Sequence, residues 1–214
     1  MAWLKNNWRL VITHVGAMLP MVIIVRDWFM GDLTANPIQA AILRTGKPAL
    51  VLLVLLLACT PLNTFFGLNW VMPLRKWLGI YSSFYTGVHF LVFAGLDYRF
   101  DLSLLYEAIF SKRYAIAGFV AGIFLIPLTL TSTEGWRRRL GKRWNQLHKL
   151  VYAAAVLSGL HYIWLVKSDL REPLLYCVII LLLLMVRIPT VSRSIIHVRH
   201  LLARIIDALL TGPG

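Results

Sequence analysis

The sequence predicts an all-α fold: a polytopic membrane bundle of six transmembrane helices, with the N-terminus and C-terminus both cytoplasmic. Three observations predict it. Of 214 residues, 59% are apolar and only 14% charged, against roughly 45–50% and about 25% in soluble domains, and the mean hydropathy is +0.72. A soluble chain of this size buries only about 70% of its surface, so part of its solvent must be lipid. Second, six apolar runs are long enough to cross a hydrocarbon core about 30 Å thick, which takes about 20 helical residues. Third, the basic residues sort to one side of those runs.

In chain order the runs are 8–25, 48–70, 77–97, 114–132, 144–166 and 173–190. They are continuously apolar, without the alternation of barrel strands, so helices are implied. The first contains His14 and Pro20 and lacks an A-x-A cleavage site, so it is expected to be a retained span and not a cleaved signal. Pro48 and Pro173 are expected in helix first turns, and Pro61 and Pro189 at helix ends. Segment 101–113 is amphipathic on the outer side. So is 192–210 on the inner side, where Ile195, Val198, Leu202, Ile205 and Leu209 oppose Arg193, His197, His200 and Arg204. That pattern suits a helix lying on an anionic leaflet, with a metal site at His197 and His200 the minor alternative.

Alternating these runs across the bilayer places fourteen Lys and Arg with Glu134 and Asp207 on the N-terminal side, a net of +12. The other side carries eight basic against seven acidic residues, a net of +1. The overall +13 is therefore topology, with membrane lipid and not nucleic acid as the partner. Cys59 and Cys177 fall inside spans, so no disulfide is expected. There is no CxxCH, GxGxxG or Walker motif and every loop is short, so a soluble redox domain is expected in another protein. No internal repeat stands out.

An ionisable group inside a span is expensive and marks function by default. His89 lies 12 residues beyond Trp77, about 18 Å along an outward-running helix. His148 is four residues into its span, about 6 Å deep, and His161 is 13 residues further, about 20 Å higher. His89 and His161 thus share a depth on two helices and could bind the two axial faces of one haem iron. His148 could hold a second haem nearer the cytoplasm. Thirteen residues turn the helix so that His148 and His161 stand roughly 140° apart, so any two haems must be offset. No second histidine precedes His89 at that spacing; Lys76 and Arg75 stand there. The candidates opposite His148 are His14, a water, Met72 or no protein ligand. Arg75 and Lys76 could pair with haem propionates or act only as positive-inside anchors. Gly87, Ala153, Ala154, Ala155, Ser158 and Gly159 would leave room for a flat macrocycle or serve helix packing, and Gly118-x-x-x-Gly122 is read as packing. On the residues alone, haem leads, with proton relay or substrate gating next.

At these residues the chain resembles a known family. The segment T131-S-T-E-G-W-R-R-R-L-G-K-R-W-N-Q-L-H148-K-L-V-Y, continuing to H161-Y-I-W-L-V-K167, is similar to the ferric-reductase-like transmembrane family. G46-K-P-A-L, T60-P-L, the basic pair before L78-G and the single His89 point within it to the haem-binding membrane subunits of periplasmic methionine sulfoxide reductase systems. The second histidine on the third span and the fused flavin domain usual in eukaryotic NADPH oxidases are missing, which favours those small bacterial subunits.

The resemblance implies a b-type cytochrome of the bacterial inner membrane carrying one or two haems, with His89, His148 and His161 as the iron ligands. It implies electrons taken from the quinone pool or a cytoplasmic flavin reductase and passed to a periplasmic molybdopterin-containing methionine sulfoxide reductase. The oxygen-atom chemistry would belong to that partner. FMN is also implied, with no residue here to assign to it. Residues 1–191 are accordingly expected to form a six-helix haem-binding transmembrane domain, followed by a cytoplasmic amphipathic tail at 192–214. The alternatives are a haem-containing quinol or ferric reductase with another acceptor, and a cofactor-free proton-coupled transporter.

Overall fold

The computed structural model describes residues 2–188 and 191–193. Pro189, His197, His200 and nearly all of the expected amphipathic tail lie outside the described residues. Among the described residues the α-helices are, in order, α1 (Ala2–Met30), α2 (Pro37–Phe66), α3 (Leu74–Val92), α4 (Leu102–Phe110), α5 (Arg113–Leu130), α6 (Glu134–Leu140), α7 (Lys142–Leu147), α8 (Leu150–Leu165) and α9 (Arg171–Met185). A 3₁₀ turn, Asn69–Val71, precedes α3, and a π-helical turn, Phe93–Asp97, extends it. Among the described residues every regular element is helical. Three stretches, Asn7–Met30, Pro37–Phe66 and Arg113–Leu130, are long and apolar enough to cross a membrane. α3 opens on Arg75 and Lys76, and α8 and α9 have 16 and 15 residues.

Two proline expectations are corrected. Pro48 and Pro61 both lie inside α2, which begins eleven residues earlier than the apolar run does. The start is set by Asn36, whose side chain accepts from Gln39 N–H, with Pro37 in the first helical position. The end is set by Gly67 in the left-handed region (φ 67°), its N–H bonded to Asn63 O. Pro61 is tolerated because a neighbour satisfies the carbonyl it orphans. That carbonyl belongs to Leu57, and Arg187, just past α9, donates to it from Nη2 at 2.6 Å while Nη1 donates to Tyr152 Oη at 2.8 Å. Pro173 does lie in the first turn of α9.

Beside Pro20 the ladder of α1 is opened by a side chain from α3. Tyr85 Oη accepts from Met21 N–H at 3.0 Å and donates to Ala17 O at 2.7 Å, standing between the two groups that would otherwise pair. Tyr85 is fully buried. Ser82, on the same helix, donates to Ala49 O of α2 at 2.8 Å.

The closest helix pairings are α2 with α3 and α5 with α8. Their shared core is built from Leu53, Leu56, Leu57, Leu78, Leu125, Leu128, Ala154 and Ala155. At one end of the bundle Asp27 pairs with Arg44, and Lys47 Nζ with Glu172 Oε1 at 2.6 Å; at the other, Glu134 pairs with Arg137 and Arg138 on α6. The Lys47 ammonium holds the Glu172 carboxyl below its usual range. With both side chains about half exposed, such a pair is worth at most about 1 kcal/mol. The amphipathic 101–113 segment forms α4, capped by Asp101 and turning Leu105, Ala108 and Ile109 inward. Cys59 and Cys177 are free thiols.

Replacing Tyr85 with Phe leaves Met21 N–H and Ala17 O facing each other across a gap. The expected cost is about 1–3 kcal/mol, read as a lower unfolding midpoint of detergent-solubilised protein by tryptophan fluorescence. An unchanged midpoint would show that the hydroxyl bridge contributes nothing.

Candidate functional site

α3 and α8 bring the imidazoles of His89 and His161 together, with ring centroids 6.2 Å apart and planes at 84°. Their matched depth in the sequence is thus matched by contact. His89 Nδ1 lies 2.9 Å from Ile42 O on α2, and His161 Nδ1 lies 2.7 Å from Tyr114 O on α5. A carbonyl can only accept, so each Nδ1 carries the hydrogen and each Nε2 keeps its lone pair. This is the bonding that fixes the tautomer and orientation of a metal-binding imidazole.

Both carbonyls belong to helical residues whose own ladder bonds run to the residue four positions on. That residue is glycine in each case, Gly46 and Gly118. A Cβ on Gly46 would come within 3.1 Å of the His89 ring, and one on Gly118 within 2.6 Å of His161 Nδ1. The missing side chains leave each carbonyl uncovered and let an imidazole from the next helix rest on the backbone. Gly118 therefore has a role other than the helix packing expected of it; only Gly122 makes an ordinary contact, 3.5 Å to Thr86. Ala154 and Ala155, proposed as room for a macrocycle, are completely buried in the helix core, and Gly159 packs against Cys177.

The two seats share one plan. Each carbonyl stands 47 residues before its histidine, each glycine four residues after its carbonyl, and the two sets are offset by 72 residues. The sequence carries the same offset in T86-G-V-H-F-L and S158-G-L-H-Y-I. The pairs α2–α3 and α5–α8 thus present the same histidine seat twice, although no internal repeat stands out in the sequence as a whole.

A separate cavity of about 400 Å³ lies among α2, α3, α5 and the α6–α8 turns. Arg75, Lys76, Arg137, Trp144 and His148 are on its wall. His148 is not four residues into a continuous helix, as expected, but closes α7 before α8 begins. Thr131 Oγ1 donates its hydrogen to Pro127 O at 2.6 Å, so at 3.0 Å it accepts from His148 Nε2–H. His148 Nδ1 keeps the lone pair. Trp144 stacks on the imidazole at 3.8 Å and donates to Thr131 O at 2.9 Å. Thr131 and Trp144 are thus supports that the histidine pattern alone did not single out. His14 is elsewhere: its Nδ1 pairs with Tyr81 Oη at 2.9 Å and its ring meets the edge of Trp77. Those residues occupy the face of α3 turned away from Arg75, Lys76, Gly79 and Ser83, which line the cavity.

Among the described residues, no group of three or more His, Cys, Asp or Glu is placed to hold a bare metal ion. Two unprotonated imidazole nitrogens suit an ion whose other positions a macrocycle fills, as in haem. Metal–imidazole bonds of about 2 Å on opposite sides of one ion set ring centres roughly 6 Å apart, close to the observed separation. The residues present fit that group.

The family profile described as the ferric reductase like transmembrane component matches residues 45–159. The chain is 43% identical over 196 residues to the protein-methionine-sulfoxide reductase heme-binding subunit MsrQ of Rhodospirillum rubrum, covering 89% of this chain and 93% of that protein. It is 41% identical to the subunit of the same name from Deinococcus radiodurans, over 84% of this chain and 89% of that protein. The Xanthomonas axonopodis subunit is 40% identical, covering 81% and 82%. No solved structure matches.

Gly118→Ala and Gly46→Ala each force an imidazole off its carbonyl. Overpacking of this kind costs about 1–3 kcal/mol, and Gly118→Ala is expected to lower the unfolding midpoint more than Gly46→Ala, because its Cβ contact is the closer. Equal midpoints for both variants and wild type would contradict the seat.

Proposed function

The chain belongs to the ferric reductase like transmembrane family, alongside the MsrQ heme-binding subunits, and from that premise we propose that it is the haem-carrying electron-transfer subunit of a methionine sulfoxide reductase system. It sits in the bacterial inner membrane as six spans with both termini cytoplasmic. The +12 inner and +1 outer faces support that orientation.

One observation carries the assignment: two half-buried imidazoles on different helices, each with Nδ1–H committed to a helix carbonyl and Nε2 free, at a separation suited to one iron. His89 and His161 would hold the haem iron through their Nε2 atoms. When bound, the haem supplies a one-electron carrier within a layer that an electron does not otherwise cross readily. α3 and α8 hold the two imidazoles side by side, and Ile42 and Tyr114 set their tautomers. Electrons from quinol or a flavin reductase would enter on the cytoplasmic side, where Arg75, Lys76 and His148 line the basic cavity, and would leave at the outer face toward a periplasmic molybdopterin-containing reductase that performs the sulfoxide chemistry. The loop 98–101 and α4 provide the outer contact surface.

Purified protein should show a Soret band and a b-type pyridine haemochrome. His89→Ala and His161→Ala should each remove the same low-spin signal. A colourless protein, even after haem supplementation, would overturn the assignment in favour of a proton-coupled transporter. Dithionite-reduced protein should be reoxidised by the sulfoxide reductase partner with its substrate; reoxidation by chelated ferric iron alone would point to a ferric reductase.

A further inference from the structure

A tight turn joins α4 to the end of α3. Arg99 and Phe100 both adopt left-handed backbone, with φ 51° and 58°, a conformation that is costly for any residue with a Cβ and persists only where its surroundings enforce it. Phe100 N–H donates to Ala94 O at 2.8 Å, and its ring rests on Gly95, where a Cβ would stand 2.9 Å from it. The Asp101 carboxylate then accepts from the N–H groups of Ser103 and Leu104. The direction of α4 is therefore set by the turn and its cap.

At about 100° per residue, the side chains of α4 fall into distinct arcs. Leu105, Ala108 and Ile109 are buried against the bundle, with the half-exposed Leu104 bordering them on one side. On the other side Leu102, Tyr106 and Phe110 form a flank that is 81%, 68% and 51% exposed. Ser103 and Glu107, with Ser111 just beyond the helix, make a narrow polar edge. Apolar side chains thus cover about 240° of the helix, far more than packing against the bundle uses.

The exposed flank runs on into the seam between α3 and α5. Tyr106 and Phe110 meet at 4.8 Å, Phe110 meets Phe119 of α5 at 6.4 Å, and Phe119 meets Phe90 of α3 at 5.8 Å. Phe90 is itself exposed on the side of the bundle, next to His89. At the 72-residue offset, the positions matching Phe90 and Phe119 are Tyr162 and Lys47. Those two are polar and meet protein: Lys47 pairs with Glu172 of α9, and the Tyr162 hydroxyl stands beside the same carboxylate. The matching positions are polar where α9 lies against them and aromatic on the side that carries the exposed flank of α4.

We infer that the Leu102, Tyr106 and Phe110 flank of α4 lies in the outer leaflet, at the boundary of acyl chains and headgroups, and that α4 shows the periplasm only its Ser103–Glu107 edge. The inference rests on the proposed function for its orientation, and it narrows the part of α4 offered to the electron acceptor to that polar edge. An apolar arc this wide on a short helix suits partial immersion in the interface. Aromatic rings favour that depth, and the Tyr106 hydroxyl can stay with the headgroups. Lys112 and Arg113, exposed where α5 begins, carry cations long enough to reach lipid phosphates.

Nitroxide labels on single cysteines test it, in full-length protein carrying Cys59→Ala and Cys177→Ala and reconstituted in phosphatidylethanolamine–phosphatidylglycerol vesicles. Power-saturation electron paramagnetic resonance compares relaxation by oxygen, which concentrates in hydrocarbon, with relaxation by a nickel chelate confined to water. At Tyr106→Cys and Leu102→Cys oxygen should be several-fold the more effective; at Ser103→Cys and Glu107→Cys the order should invert. Should Tyr106→Cys fail to fold, Leu102→Cys, at the most exposed position of the flank, reads the same surface. Nickel-dominated relaxation along the flank overturns the inference and leaves the aromatic residues in water, open to the acceptor. Poor access by both reagents, as beneath a second copy of the chain, overturns it as well. Sidedness is read separately with a membrane-impermeant maleimide on Glu107→Cys. Reaction only in inside-out vesicles overturns the orientation in the proposed function, while the oxygen-to-nickel ratios decide the lipid seating on whichever side α4 lies.

Discussion

The organisation of this protein depends on a hydrogen bond between an imidazole and a helix carbonyl that already has a partner. In a helix, the side chain at position i+4 lies over the carbonyl of residue i, so a neighbouring helix cannot ordinarily reach it. Gly46 and Gly118 remove that cover, and the two histidines take its place. The bond does three things at once. It satisfies a polar group that would be costly in hydrocarbon, it fixes which nitrogen is unprotonated, and it locks α3 to α2 and α8 to α5 at one register. Lipid offers no hydrophobic drive for helices to associate, so such polar contacts and close packing must set the arrangement.

The same logic governs the prolines. Pro61 frees Leu57 O, and Arg187 reaches from the end of α9 to bond it. Beside Pro20, Tyr85 enters the opened ladder of α1 and bonds both exposed groups. Each defect in one helix thereby specifies which neighbour must lie beside it. The irregularities of α1 and α2 act as docking points for α3 and α9.

These contacts also explain what could and could not be seen in the sequence. The all-helical fold, the apolar stretches Asn7–Met30, Pro37–Phe66 and Arg113–Leu130, and the matched depths of His89 and His161 are legible because they depend only on rise per residue and hydropathy. Pro48 and Pro61 were misplaced because the local rule ends a helix at proline, while the tertiary partner that removes the penalty is invisible until the fold is known. Gly118 was assigned to packing because a glycine has the same one-dimensional signature whether it faces a helix or an imidazole. His148 was placed inside a continuous helix because the α7–α8 break leaves the apolar pattern uninterrupted. The repeat was obscured for a related reason. Lipid-facing positions are free to drift among apolar residues, so the two hairpins keep their likeness mainly where residues face the axis, as in T86-G-V-H-F-L and S158-G-L-H-Y-I.

A duplicated hairpin would by itself give two equivalent ends. At the outer end the repeat is kept, with histidine facing histidine on glycine seats. At the inner end it is broken in several ways at once: lysine faces histidine, methionine faces tryptophan, and Thr131 supports His148 where the first repeat has Cys59. The hydrogen bonding of the histidine and the local charge therefore both differ between the ends: His89 and His161 rest on helix carbonyls, while His148 is held by Thr131 beside Arg75 and Lys76.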